Sequence, residues 1–253
     1  MIKYRFLSFV FSIFLISGCK NEPLVNAEIR GERIAIDNKI TPDKEIEKFL
    51  KPYSVHINKT LDSILAYNPR DLNKSDGELN TAIGNLMADI VMEQANPVFK
   101  SRTGNDIDLV LLNHGGIRST IGKGPITART AYNIMPFENE IVVVEITTEK
   151  IQEMLAYLEN NKTAHPVSGM EIKMDRNYKI TSTTINGKPI EPGDTYFVAT
   201  SDYLQQGGDN MNFLKDPVSL HRIDYKIRNA IIDYFEKVDT LQTARDNRYT
   251  RLN

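Results

Sequence analysis

The sequence predicts an α+β domain, on three observations. Two short runs, Ile107 to Leu112 and Ile141 to Ile146, are apolar and of strand length, the second rich in β-branched residues. Two longer stretches carry apolar residues at helical spacing: Leu86, Ile90 and Val91 within Ile83 to Ala95, and Ile151, Met154, Leu155 and Leu158 after Thr148. The two kinds of segment interleave irregularly, which favours one mixed domain over a doubly wound parallel sheet.

In chain order, Thr41-Pro42 reads as a helix start, a hydroxyl cap with proline at the first helical position. Ile46, Phe49, Leu50 and Tyr53 keep one face of that helix, and Pro52 should kink or interrupt it. The Ile83–Ala95 helix follows, then the buried strand at Ile107–Leu112 and the strand at Ile141–Ile146. Thr148 is expected to cap the next helix. Tyr178 to Ile185 alternates as a strand does, and Asn186-Gly187 is a tight-turn signal. Tyr196 to Ala199 is a further strand, and Asp224 is expected to cap a last helix through Ile227, Ile231 and Tyr234.

Ahead of the domain, Lys3 and Arg5 give a positive start and Phe6 to Ser17 an apolar run too short to span a bilayer as a helix. Leu15-Ile16-Ser17-Gly18-Cys19 closes that run and resembles the bacterial lipobox, in which the cysteine becomes the lipidated first residue. The alternatives are a plain signal peptide with an incidental cysteine, or a short membrane anchor. The expected organisation is a signal at 1–18, lipidated Cys19 and a tether over 19–40, and a folded domain over 41–253. Acyl chains, rather than a basic patch, would then hold the protein to a membrane of the cell envelope, periplasmic or surface-exposed.

Composition narrows the chemistry. With 253 residues, 41% hydrophobic and 25% charged, the chain is that of an ordinary folded protein. A formal net charge of −2 argues against binding a nucleic acid polymer. The single cysteine excludes an intrachain disulfide framework. Four histidines, His56, His114, His165 and His221, are scattered, with no two inside a short ligand motif. There is no Gly-x-Ser-x-Gly elbow, and Gly122-Lys123-Gly124 lacks the spacing of a phosphate-binding P-loop.

Three segments carry the candidate site. Asn113-His114-Gly115-Gly116-Ile117-Arg118 follows a strand directly; its glycines let backbone approach a ligand, and its arginine offers a fork of donors to phosphate or carboxylate. Ser201-Asp202-Tyr203-Leu204-Gln205-Gln206-Gly207-Gly208-Asp209 ends another strand, with an aromatic that can stack on a flat ring and a carboxylate that can accept from vicinal hydroxyls. Ile134-Met135-Pro136-Phe137 precedes the strand at Ile141. Each has a plainer reading: a tight turn with a surface arginine, a turn-capping Asp209, and core for Tyr203 and Phe137.

Together these segments resemble the C-terminal, substrate-binding domain of the 5'-nucleotidase family. The resemblance runs in order from Gly84-Asn85-Leu86-Met87-Ala88-Asp89, through the Asn113–Arg118 loop, Gly124-Pro125-Ile126-Thr127 and Met135-Pro136-Phe137-Glu138-Asn139, to Gly207-Gly208-Asp209. It implies that Phe137 and Tyr203 sandwich a nucleobase, Tyr203 standing where the family usually has Phe. It implies that Asp209 holds the ribose hydroxyls, that Asn113 contacts the base or fixes the loop, and that Arg118 meets the phosphate or ribose side. Gly115, Gly116 and Gly208 belong to the same matching loops. The family commonly has an Arg-Glu pair just before the Gly-Asn-Leu helix; here Leu79 and Asn80 stand there, so one phosphate-directed arginine is missing unless Lys74 or another loop residue substitutes. In the family a separate N-terminal domain performs the hydrolysis with two divalent metals, which clamp the attacking and leaving oxygens. Its Asp-x-His and Gly-Asn-His-Asp/Glu motifs do not occur in these residues. The expectation is a domain that recognises a nucleotide or nucleoside, with no catalytic residue and no cofactor of its own. A separately encoded metallophosphoesterase would be its partner; the alternative is a non-enzymatic binding lipoprotein.

Overall fold

The structure is a computed structural model and describes residues 30–252. The proposed signal, Cys19 and the first part of the tether lie outside the described residues. The described residues divide into two units, with the boundary between Phe49 and Leu50. Residues 30–43 contain no helix or strand, consistent with their lack of apolar periodicity.

The first described helix, α1 (Lys44–Leu61), is capped by Asp43, whose carboxylate accepts from the amides of Glu45 at 2.9 Å and Ile46 at 3.2 Å. Thr41 is therefore not the cap. Pro52 does not interrupt the helix. It removes one donor from a helix with no buried residue, where water can take that donor's place.

A five-stranded sheet in the order β5-β2-β8-β4-β9 forms the centre of the second unit. Its strands are β2 (Leu109–Leu111), β4 (Glu140–Thr147), β5 (Val167–Ser168), β8 (Thr195–Ser201) and β9 (Ser219–Lys226). Only β2 and β8 run parallel within it. Val110, Val143 and Ala199 face one core cluster, beneath α2 (Ala82–Thr103) and α6 (Ile227–Lys237). Leu109, Leu111, Val144, Ile146 and Val198 face the other, with Ile151, Met154, Leu155 and Leu158 of α4 (Thr148–Asn161). Alternation of period two with both faces covered explains why these strands read as unbroken apolar runs.

Two smaller sheets complete the unit: β1 (Ile64–Asn68) with β3 (Gly124–Thr127), and β10 (Tyr249–Arg251), β6 (Met170–Met174) and β7 (Ile180–Ile185). Asn186 and Gly187 both have positive φ, 50° and 73°, and connect Ile185 to Lys188 as the two-residue turn expected there. Short helix α3 (Ala128–Ile134) packs on β3 and α6, and α5 (Asp202–Gln205) on β4 and β8.

Several boundaries differ from expectation. The helix α2 begins at its cap Thr81 and runs past Pro97 to Gly104, drawn on by buried Ala95 and Phe99. The cap of α4 is Thr147; Thr148 instead donates its hydroxyl to the carbonyls of Glu191 and Asp194. Asp224 does not cap α6, whose N-cap position is Lys226, with no side-chain cap bond. It lies inside β9 at φ 55°, where its carboxylate accepts from Arg102 at 3.3 Å.

Candidate functional site

Strand direction brings the three sequence segments to one end of the sheet. The ends of the parallel neighbours β2 and β8 coincide, so the loop after β2 (Asn113–Arg118) lies beside the loop after β8 (Asp202–Asp209). The strand β4 is antiparallel to β8, with Ile141 opposite Ser201, so the Phe137 segment before β4 reaches the same end. Between them is a cavity of about 330 Å³, within the range of small-ligand sites. Asn113, Gly115, Gly116, Arg118, Phe137, Tyr203 and Asp209 all line it, over an apolar floor that includes Met87, Leu112, Met135 and Ile227.

Asp209 is the hub of the polar wall. Its φ of 52° is left-handed, a conformation uncommon for a residue with a side chain and held here by contacts on every polar group. The Tyr203 hydroxyl donates to Oδ1 at 2.8 Å and accepts from the Asp209 amide at 3.3 Å. Asn113 Nδ2 donates to Oδ2 at 2.7 Å, and the Tyr157 hydroxyl donates to the backbone carbonyl at 3.0 Å. Burial, then the charge of Asp209, pushes the Tyr157 phenol up. Two glycines are required by close approach. A Cβ on Gly208 would lie 2.4 Å from the Tyr203 ring, and one on Gly116 2.6 Å from Asn113 Oδ1. Gly208 thus acts from behind the tyrosine ring rather than from the cavity wall.

Phe137 and Tyr203 are not core residues: 41% and 47% of their surface is exposed. The Arg118 guanidinium carbon lies 5.7 Å from the Phe137 ring centroid, and its Nη1 donates to the Gly115 carbonyl at 3.2 Å. Lys74 Nζ donates to the Ile117 carbonyl at 3.1 Å, which puts a second cation against the same loop. Leu79 and Asn80 are turned away: Leu79 is 3% exposed in the second core cluster, and Asn80 Nδ2 donates to Asp246 at 3.1 Å.

His165, read from sequence only as a loop residue before Pro166, supports the glycine loop from below. It is 6% exposed, and its Nδ1 accepts from the His114 amide at 3.3 Å. That bond places the ring proton on Nε2, which is buried without a partner among the described residues. Burial, reinforced by His114, pushes its pKa down to about 4. His114 is not on the cavity wall; its Nδ1 sits 3.3 Å from the Ala164 carbonyl, and burial lowers its pKa. The sequence reading also passed over Ser201, Asn139 and Ile227 as lining residues. Asn139 stood inside a quoted motif, whereas Ile227 gave only a helical-core signal.

Among the described residues no three His, Cys, Asp or Glu side chains gather to hold a metal ion. No helix among the described residues is long and apolar enough to cross a membrane.

The family model described as 5'-nucleotidase, C-terminal domain, matches residues 60–216. Cell wall protein Lmo0130 of Listeria monocytogenes is 28% identical over 208 residues, covering 73% of this chain and 26% of that protein. The trifunctional nucleotide phosphoesterase protein YfkN of Bacillus subtilis is 32% identical over 164 residues, covering 58% and 11%. The 5'-nucleotidase precursor of Thermus thermophilus superposes with a TM-score of 0.67 at 24% identity, over 84% of this chain and 44% of that one, which shows a shared fold. The chain spans about a quarter and about a tenth of the two curated relatives. Matched by that family model over more than half of its length, the chain belongs to the 5'-nucleotidase family through its C-terminal domain.

Proposed function

We propose that this chain is the nucleotide- or nucleoside-recognition part of a 5'-nucleotidase-type hydrolase. The observation that carries the reading is the convergence of Asn113, Arg118, Phe137, Tyr203 and Asp209 on one cavity from three separate loops. In this reading Phe137 and Tyr203 stack on the base, and Asp209 accepts from the vicinal ribose hydroxyls. Asn113 fixes the loop through its bond to Asp209, the second of the two roles the resemblance left open. Arg118, with Lys74 behind it, faces the phosphate or ribose side. A metallophosphoesterase domain outside these 253 residues, separately encoded in our reading, supplies the hydrolytic metals. Lipid attachment at Cys19 would keep both at the cell envelope, in line with a relative named as a cell wall protein.

One observation favours a second reading, a nucleoside-binding lipoprotein without enzymatic activity: where the family commonly has a phosphate-directed arginine, Leu79 is packed into the core. The deciding experiment mixes the purified domain with a metallophosphoesterase of the family and follows phosphate release from AMP. The first reading expects activity that neither protein shows alone. An unchanged rate and substrate preference, with calorimetric binding of adenosine and AMP intact, leaves the second.

A further inference from the structure

Phe137 lies in a segment without regular structure between α3 and β4, and the start of α6 holds that segment residue by residue. Lys226 Nζ donates to the Glu138 carboxylate, and the Ile227 amide donates to the Asn139 carbonyl at 3.0 Å. Arg228 Nη1 donates to the carbonyl of Phe137 itself at 3.2 Å, while Nη2 donates to Glu138. Hydrogen bonds from Lys226 and then Arg228 hold the Glu138 carboxyl down to about 2. The Arg228 guanidinium also lies 4.2 Å from the Tyr132 ring centroid, so α3, the Phe137 segment and α6 meet on one side chain.

This arginine is costly where it stands. Its side chain is 6% exposed, and its Nε–H has no partner among the described residues, whereas the Glu138 side chain it pairs with is 63% exposed. Packing alone would be met by an aliphatic residue of similar length, since a buried ion pair does not by itself add stability. What an aliphatic residue lacks is a planar fork that can fix the direction of a backbone carbonyl and a carboxylate together. On the far side, Arg118 bears on the Phe137 ring.

We propose that Arg228 is a positioning residue, which holds the Phe137 segment so that the exposed ring is presented to a flat ligand without first having to be ordered. The link to ligand binding rests on the nucleoside reading of the cavity; the clamp itself does not. Hydrogen exchange in the unliganded full chain tests the clamp. In Arg228→Met, the Ile227 amide, which donates to the Asn139 carbonyl, and the Glu140 amide, which donates to Asp202, should exchange at least tenfold faster, with the loops at 113–118 and 203–209 unchanged. Glu138→Gln, which leaves α6 intact, should move the same amides in the same direction by less. Calorimetry with adenosine tests the link. Arg228→Met should weaken binding about fivefold in the native background and leave it unchanged in Phe137→Ala. Arg228→Lys, which keeps the charge but not the fork, should bind as weakly as Arg228→Met. Exchange that rises in all three loops alike, or an equal affinity loss in both backgrounds, overturns the proposal and leaves Arg228 a general stabiliser. If the native protein binds neither adenosine nor AMP, the nucleoside reading falls, while the exchange result still decides the clamp.

Discussion

The Asp209 corner and the Leu79–Asn80 segment make opposite use of what the family resemblance leads one to expect. At the corner, Tyr203, Asn113 and Tyr157 all direct donors at Asp209, and the exposed aromatics stay on the cavity wall. At the segment, where a phosphate-directed arginine is common, Leu79 fills the core and Asn80 joins Asp246 and Asn85 in tying the C-terminal stretch to α2. One region presents a carboxylate and two aromatic rings to the cavity; the other is packed and paired away from it. The cation on the cavity wall is Arg118, with Lys74 bonded to its loop from behind.

The largest expected effect comes from forcing the second region back toward the family pattern. Leu79→Arg buries a charge at a 3% exposed position inside an apolar cluster. It should lower unfolding free energy by about 3 kcal/mol or more in urea titrations. It should not raise affinity for AMP relative to adenosine. A gain in AMP preference at unchanged stability would mean that the side chain reaches the cavity, and the contrast between the regions would collapse.

The support beneath the glycine loop should be acid-sensitive. His165 has an ordinary pKa of 6.5 but is held at about 4 in the folded chain. As pH falls from 6.5 to 4, the unfolded chain takes up a proton that the folded chain refuses, so stability is lost through that window and not above it. The full difference amounts to roughly 3 kcal/mol, at about 1.4 kcal/mol per pKa unit. Urea unfolding at pH 7 and pH 4.5 should show a steep loss in the native protein and a shallower one in His165→Gln. Parallel losses would show that His165 does not carry the effect.

Much of the fold was legible because its signals are local. The runs at Ile107–Leu112 and Ile141–Ile146, the spacing of Ile151, Met154, Leu155 and Leu158, and the Asn186-Gly187 turn each state a structure within a few residues. Caps were misplaced because Thr41, Thr148 and Asp224 each sit one or two positions from the residue at the cap, Asp43, Thr147 and Lys226, and a capping side chain does not reveal which carbonyl or amide it will find. The candidate site residues were named from their motifs, but their meeting depends on the β2–β8–β4 register, which no single segment contains. His165 and Arg228 were missed for the same reason. Their significance lies in partners 51 and 91 residues away in sequence.

Asp209→Asn keeps the shape but replaces one acceptor oxygen by a donor, facing either the Tyr203 hydroxyl or Asn113 Nδ2. Hydrogen bonds to a charged group are worth roughly 1.5–3 kcal/mol. Adenosine affinity, measured by calorimetry, should fall about tenfold or more, and affinity for an analogue without the ribose diol should fall much less. Equal losses would mean that Asp209 serves only to shape the turn after Gly208.

The smallest effect separates the two functions that Tyr203 combines. Tyr203→Phe restores the residue usual in the family and keeps the stacking face, but removes the hydroxyl that bonds Asp209 at 2.8 Å. Two consequences oppose each other. The carboxylate oxygen gains a free acceptor site for a ligand, which favours binding slightly, since each oxygen already has more than one such site. It also loses the donor that fixes its direction, and water can replace that donor because Tyr203 is 47% exposed. Loss of orientation should win by a small margin, so adenosine affinity should fall about threefold, or roughly 0.6 kcal/mol. A 2',3'-dideoxy analogue should bind as before, because base stacking is retained. Tighter binding of adenosine would show the hydroxyl competing with the sugar for Asp209. Equal loss for both ligands would place the hydroxyl against the base instead.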